Sequence, residues 1–287
     1  MAAILTVGAA RVERKTATLR PMRHLSDLSG ILVLDKDLGM SSMRAVEIAR
    51  RRAGRAKAGH AGTLDPLATG VLVVAFGRAT KAIDLLMATE KGYETDVDLS
   101  AFTTTDDREG ERREVAVAAP PTREAVERAL AGFTGEIMQK PPAFSAIHVG
   151  GKRAYALARN DAPPDLPPRK VMVHEIALVK YEWPIATVAI RSGKGFYVRS
   201  LARDLGLALG TGGHCASLRR TAVGPFTLKL ARRLEDLPEH IDESCVIPLE
   251  TALGALSTMG ALSTLEALSA QPQPASPHGA PDGPRGS

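Results

Sequence analysis

The stretch Gly59-His60-Ala61-Gly62-Thr63-Leu64-Asp65-Pro66-Leu67-Ala68-Thr69-Gly70 holds the residues of this 287-residue chain best suited to chemistry. A residue before proline is pushed toward an extended backbone, so Asp65 is kept out of any helix. The glycines at 59, 62 and 70 allow tight turns and close approach of backbone to ligand. A carboxylate fixed on such a loop can act as a nucleophile or as a general base. Asp-Pro is also a common turn, so the loop alone leaves both readings open. The chain has two cysteines, Cys215 and Cys245, too few for a multi-cysteine zinc site or a disulfide framework. His214 beside Cys215 lacks a second pair to complete a metal site, so no metal is expected.

Charge points to the class of partner. The net charge of +5 is modest, but it is unevenly placed. Arg44, Arg50, Arg51, Arg52, Arg55 and Lys57 face one acid, Glu47, over residues 44–57. Arg191, Lys194, Arg199 and Arg203 form a second group, and Arg219, Arg220, Lys229, Arg232 and Arg233 a third. Residues 90–114 are acidic. Any one basic run could be a solvated helix face. Three together favour a polyanion such as RNA or DNA. Aromatic residues make up 4% of the chain, which argues against a sheet that reads RNA through stacked rings. No apolar run approaches the roughly 18 residues of a membrane helix. The apolar N-terminal stretch Ala2–Ala10 has no basic residue ahead of it, unlike a secretory signal. A cytoplasmic protein with no membrane contact is expected.

The elements that must position this loop are legible in outline. Ile31–Leu34 reads as a buried strand, and Ser41 or Ser42 can cap a helix running to about Ala53. Gly54–Gly70 reads as loop, Val71–Phe76 as a second apolar strand and Lys81–Met87 as helix. Tyr93, Thr95, Val97 and Leu99 alternate with Glu94, Asp96, Asp98 and Ser100, which predicts a half-buried strand with Tyr93 on its apolar face. Thr122–Gly132 reads as a capped helix, Val171–Trp183 and Ile185–Arg191 as strands joined at Pro184, and Tyr197–Leu209 as a helix ended by Gly210. Strands and helices mix without regular alternation, which predicts an α+β fold. Residues 1–29 read as a flexible extension. In 251–287 the Gly-Ala-Leu-Ser-Thr half-repeat fits a weak helix up to Ala270, and the Pro-rich remainder a disordered tail.

The twelve-residue loop segment closely resembles the signature G-H-T/A-G-x-L-D-P-x-A-T-G of the TruB family of tRNA pseudouridine synthases. Further blocks occur in the family's order. Asp35-Lys36 with Gly39-Met40-Ser41-Ser42 resembles its opening block, Lys91-Gly92-Tyr93 its K-x-Y strand, and Gln139–Ile147 its P-x-Y/F-S-A block, continued by Gly151–Tyr155. Lys194-Gly195-Phe196-Tyr197-Val198-Arg199 resembles K-G-x-Y-I/V-R, and Ser217–Thr221 contains L-R-R. The resemblance spans residues 30 to about 250, and it implies that 30–250 is one catalytic domain. Asp37 stands where the family has proline. Ser100 and Thr104 replace a glycine and an aspartate of its L-G-x-x-T-D-T-x-D-x-x-G stretch. The place of the family's C-terminal RNA-binding PUA domain is taken by the half-repeat and tail.

The resemblance implies a pseudouridine synthase fold, with a mixed, largely antiparallel central sheet flanked by helices. It implies isomerisation of uridine to pseudouridine at position 55 in the T loop of tRNA. The target base lies in a stacked loop and must be extruded. By the same resemblance Asp65 is the catalytic aspartate and Arg199 the arginine paired with it. His60 contacts the opened T loop, Tyr93 stacks on the extruded uracil, and Tyr197 and Leu218 line its pocket. The reaction is redox-neutral, so no cofactor is expected. The T-stem and loop of tRNA is the expected partner, with no obligate protein partner. Two rival readings are an RNA-binding or tRNA-folding factor for which catalysis is dispensable, and a guide-RNA-dependent relative.

Overall fold

The structure, a computed structural model, describes residues 27–145, 147–149, 152–154 and 164–258. Its centre is a nine-stranded sheet in which seven strands run in the order β1-β3-β12-β4-β11-β10-β7. In chain order these are β1 (Gly30–Lys36), β2 (Ala58–His60), β3 (Ala68–Phe76), β4 (Lys91–Asp98), β5 (Ala101–Thr103), β6 (Arg112–Glu114) and β7 (Gly135–Gln139). There follow β8 (His148–Val149), β9 (Lys152–Arg153), β10 (Arg169–Glu182), β11 (Ile185–Ser192), β12 (His214–Val223) and β13 (Phe226–Thr227). β2 and β13 attach at β3 and β12, and β5–β6 and β8–β9 form separate small ladders. Every pairing of the central sheet is antiparallel except β3 with β12. The fold is the mixed, largely antiparallel α+β architecture expected from the sequence.

Five α-helices flank this sheet among the described residues: α1 (Ser42–Arg52), α2 (Ile83–Ala88), α3 (Arg123–Ala131), α4 (Val198–Leu209) and α5 (Leu249–Thr258). Ser41 caps α1 by accepting a hydrogen bond from the Arg44 amide, and Thr122 caps α3 through the Ala125 amide. Gly210 ends α4 with a left-handed φ of 66°.

β1 and β3 read as unbroken apolar runs because both of their faces are covered. Leu32, Leu34, Leu72 and Val74 pack with α1 on one side. Ile31, Val33, Val71 and Val73 pack with Leu85 and Leu86 of α2 and with Ala252 and Leu256 of α5 on the other. The second half of the sheet holds a separate core in which Val97, Val188 and Ile190 meet α3 and α4. β4 follows its alternation, with Thr95 and Val97 buried and Glu94 exposed.

Several boundaries differ from the sequence reading. The loop expected over Gly54–Gly70 contains β2, whose three residues pair with Phe76, Ala75 and Val74 of β3. So short a strand owes its shape to this pairing, since it has no pattern of its own. The helix expected from Lys81 begins as a 3₁₀ turn, Gly77–Ala82, before α2. β12 was not foreseen as a strand. The boundary after residue 250 falls inside α5, whose apolar side chains are buried against β1, and Leu28, before the boundary at 30, is buried in the core. The rest of the proposed extension and tail lies outside the described residues.

β3 and β12 run side by side so closely that Gly70 can carry no side chain. Its φ is 98°, and a Cβ there would lie 2.2 Å from the carbonyl oxygen of Arg220. The atoms it would meet are the fixed backbone of Arg220, so Gly70→Ala is expected to destabilise the protein by about 3 kcal/mol or more. A shifted midpoint in urea denaturation with an unchanged slope checks it.

Candidate active site

The loop that carries Asp65 runs from the end of β2 to the start of β3, at the point where β12 lies parallel to β3. Three contacts fix it. The Ser42 hydroxyl, at the start of α1, donates to the Leu64 carbonyl (2.9 Å) and accepts from the Leu64 amide (2.8 Å). The Gly39 amide donates to the Pro66 carbonyl (2.8 Å). Arg220 of β12 donates to the carbonyls of Val71 (2.7 Å), Gly62 (3.1 Å) and Thr63 (3.4 Å). Residues on both sides of Asp65 are thus tied to the sheet or to α1, and its own side chain remains 40% exposed.

Arg199 meets that carboxylate from the first turn of α4. Its Nη2 lies 2.9 Å from Asp65 Oδ2, and its Nη1 lies 3.2 Å from Asp107 Oδ2. It also donates to the carbonyls of Phe144 (2.7 Å) and Thr105 (3.2 Å). The guanidinium is 7% exposed and Asp107 4%, so this pair is almost dry. A buried ion pair is stable only if its remaining lone pairs and protons are satisfied. Here they are: Asp107 Oδ1 accepts from Thr105 Oγ1 (2.5 Å) and from the Glu109 amide (3.0 Å). Asp106 has a left-handed φ of 60°, which turns consecutive carboxylates toward residues one helical turn apart. Asp107 takes Arg199, while Asp106 takes Arg203 at 2.8 Å. Nearby, the Thr104 hydroxyl closes the turn by accepting from the Glu111 amide, and the Ser100 hydroxyl donates to Asp98 Oδ1. Both residues that depart from the family's stretch therefore have local partners.

Tyr93 on β4 stands opposite Arg220 on β12 in the antiparallel register, which puts both side chains on one face. Burial pushes the Tyr93 phenol above its ordinary value, outweighing the opposing charge of the nearby Arg220 guanidinium. Tyr93 is therefore a neutral phenol at physiological pH. His60 is pushed down by burial and by the nearby Arg220 charge. Lys91 is held down at about 8 by burial, and its ammonium donates to the carbonyls of Met87 and Thr89. Lys36, also lowered to about 8 by burial, braces the turn before α1 through the Met40 carbonyl (2.6 Å) and lies close enough to feel Asp65.

Lys91, Tyr93 and Arg220 line a cleft of about 370 Å³. Asp65, Tyr93, Tyr197, Arg199 and Leu218 all face it. His60 does not: it sits on β2, ahead of the loop. Gln139 fixes Tyr197 by exchanging two hydrogen bonds with its backbone, at 2.8 and 3.0 Å. Among the described residues no group of His, Cys, Asp and Glu is arranged to hold a metal. No helix of those residues is long and apolar enough to cross a membrane.

Sequence reading missed Arg220, Asp107, Ser42 and Lys91. Arg220 reads in the sequence as one of the third basic group, facing a polyanion, yet it is 2% exposed. A usable signal existed, because residues two apart on a strand share a face and Leu218 was already assigned to the pocket. The second basic cluster is likewise partly inward: Arg199 holds the site and Arg203 holds Asp106, while Arg191 is paired with Glu90 at 2.8 Å. In the first cluster Arg52 donates to the carbonyls of Leu234 and Leu237. Much of the clustered charge thus does structural work.

A family model described as TruB family pseudouridylate synthase (N terminal domain) matches residues 50–198, and one described as tRNA pseudouridylate synthase B C-terminal domain matches residues 199–254. The chain is 47% identical over 216 residues to tRNA pseudouridine synthase B of Gluconobacter oxydans, covering 74% of this chain and 63% of that protein. It is 45% identical over 235 residues to the protein of the same name from Arthrobacter sp., covering 80% of this chain and 76% of the relative. Among solved structures, a Cbf5-Nop10-Gar1 complex is similar with a TM-score of 0.62 at 28% identity, over 79% of this chain and 62% of the other.

Proposed function

The chain belongs to the TruB family of pseudouridylate synthases, and on that premise we propose that it isomerises uridine to pseudouridine at position 55 in the T loop of tRNA. One observation carries the reading: a half-exposed carboxylate, Asp65, held by a nearly dry arginine at the mouth of a cleft walled by Tyr93. The isomerisation breaks the bond between uracil N1 and ribose C1′ and forms one from C5 to C1′, with the C5 proton lost and N1 protonated. No electrons are gained or lost overall.

In this reading Asp65 is the catalytic carboxylate, and Arg199, its Nη2 2.9 Å from Oδ2, holds and aims it. The neutral ring of Tyr93 stacks on the extruded uracil, with Tyr197 and Leu218 completing the walls. His60, outside the cleft, contacts the opened loop from which the base came. Extrusion costs a few kcal/mol, which stacking and hydrogen bonds inside the cleft must offset.

The relatives of highest identity given above share the name tRNA pseudouridine synthase B, which supports tRNA as substrate. A tRNA-folding role without chemistry would not require the braced Asp65–Arg199 pair. The deciding experiment supplies the purified chain with an unmodified T-arm hairpin labelled with tritium at uridine C5 and no other factor. Tritium release is expected. Its absence, restored only by an added guide RNA or protein, would overturn the stand-alone reading.

A further inference from the structure

The cleft carries more positive charge than a neutral base requires. Lys91, Arg169, Lys194, Arg199 and Arg220 line it, and Asp65 is the one carboxylate among its lining residues. Arg199 is committed to Asp65 and Asp107, Arg220 to the loop carbonyls, and Lys91 to the carbonyls of Met87 and Thr89. Arg169 is different. It stacks over the Tyr197 ring at 5.1 Å from the centroid, and its Nη2 donates to the Gly195 carbonyl at 2.8 Å. These contacts fix the plane of the guanidinium and, as for Lys91, Lys194 and Arg220, no carboxylate among the described residues pairs with it. Unlike the Nε of Arg220, its own is buried with no hydrogen-bond partner among the described residues. Ser145, 3% exposed, also lines the cleft and holds a buried hydroxyl with no partner among the described residues. Buried polar atoms are nearly always satisfied, so two unsatisfied ones in the wall of a single cleft point to a ligand that completes them. A guanidinium edge and a hydroxyl are both donors, and the acceptor that suits them beside surplus positive charge is an anionic phosphate oxygen.

We propose that Arg169 and Ser145 bind a phosphodiester flanking the extruded uridine, so that the cleft grips the nucleotide by its backbone as well as its base. This rests on the nucleotide reading of the cleft given above. Stacked on Tyr197, the arginine is pre-oriented, and little rotamer freedom is lost when the phosphate arrives. The subsite positions the nucleotide and is indifferent to base identity.

The test uses the full-length protein and T-arm hairpins carrying a single uncharged methylphosphonate immediately 5′ or immediately 3′ to the target uridine. Dissociation constants and tritium release are measured for wild type, Arg169→Ala, Arg169→Lys and Ser145→Ala. Wild type is expected to bind one of the two modified hairpins about tenfold more weakly than the unmodified RNA. Arg169→Ala binds unmodified RNA about tenfold more weakly and loses most of the discrimination at that same phosphate. Its salt dependence falls by roughly one unit of slope. Ser145→Ala shows a smaller version of the same coupling, and Arg169→Lys keeps the salt slope. Each variant is compared with itself on two RNAs, so a general loss of stability cancels. Penalties that multiply independently at both phosphates overturn the subsite. RNA that is bound but not converted by wild type overturns the synthase reading instead, and the binding coupling still decides the subsite.

Discussion

Asp65→Asn is expected to lower tritium release from C5-labelled hairpin by about 10⁴-fold or more, while binding of the same RNA changes by less than about threefold. The asparagine keeps the size of the side chain and one carbonyl oxygen for Arg199 Nη2, but it is neither a nucleophile nor a base at neutral pH. The second carboxylate on Arg199 makes this substitution informative. With Asp107 at 3.2 Å the guanidinium still faces a buried negative charge when Asp65 is neutralised. Folding is therefore preserved, and loss of activity reports chemistry. The reverse substitution behaves differently. Arg199→Met would strand Asp107, 4% exposed, without its cation, and stability would fall together with activity. A single-turnover assay with a melting curve for each variant separates the two cases. Release by Asp65→Asn at near wild-type rate would remove the catalytic assignment altogether.

The contrast between these two residues explains what could be read from the sequence. Asp65 stands in a contiguous run whose glycines and proline announce a special backbone, so its loop was visible. Tyr93 stood out through a strand alternation that the structure keeps. Helix starts at Ser41 and Thr122 and the stop at Gly210 were legible because capping is a local matter of one side chain or one left-handed residue. β2 and β12 were not legible. β2 exists only through its partner on β3, and β12 carries arginines at positions that a surface reading takes for solvent. Whether an arginine faces water or a set of backbone carbonyls depends on contacts with residues about 150 positions away, as between Arg220 and Val71. Asp107 was hidden for a similar reason. Its partner Arg199 is 92 residues away, and nothing in Thr-Asp-Asp marks which carboxylate turns inward. Local chemistry was thus visible in the chain, whereas the bracing that makes it usable is long-range.

Arg220 shows how much of the site depends on that bracing. The residue is 2% exposed, and its fork holds the carbonyls of Gly62, Thr63 and Val71. Arg220→Met fills most of the stem's volume and removes every donor, leaving these acceptors in a site that water reaches poorly. Each stranded group costs about 1–3 kcal/mol, partly recovered by local rearrangement. A net loss of about 3 kcal/mol or more is therefore expected. For a chain of this size that lowers the melting temperature by about 6 °C or more. Activity should fall further than stability does, by at least about 100-fold at a temperature where the variant is fully folded. Gly62 and Thr63 lie just ahead of Asp65, and a displacement of about 1 Å at a reacting group can cost this much. Ser42 still grips Leu64 through two hydrogen bonds, so the loop shifts without melting. Lys at 220 cannot rescue the site, because one ammonium lacks the planar fork that reaches carbonyls on two sides of the loop. A variant that keeps wild-type turnover despite a lowered melting temperature would mean that the contacts of Ser42, Gly39 and Arg199 suffice to aim Asp65, and that Arg220 serves the sheet.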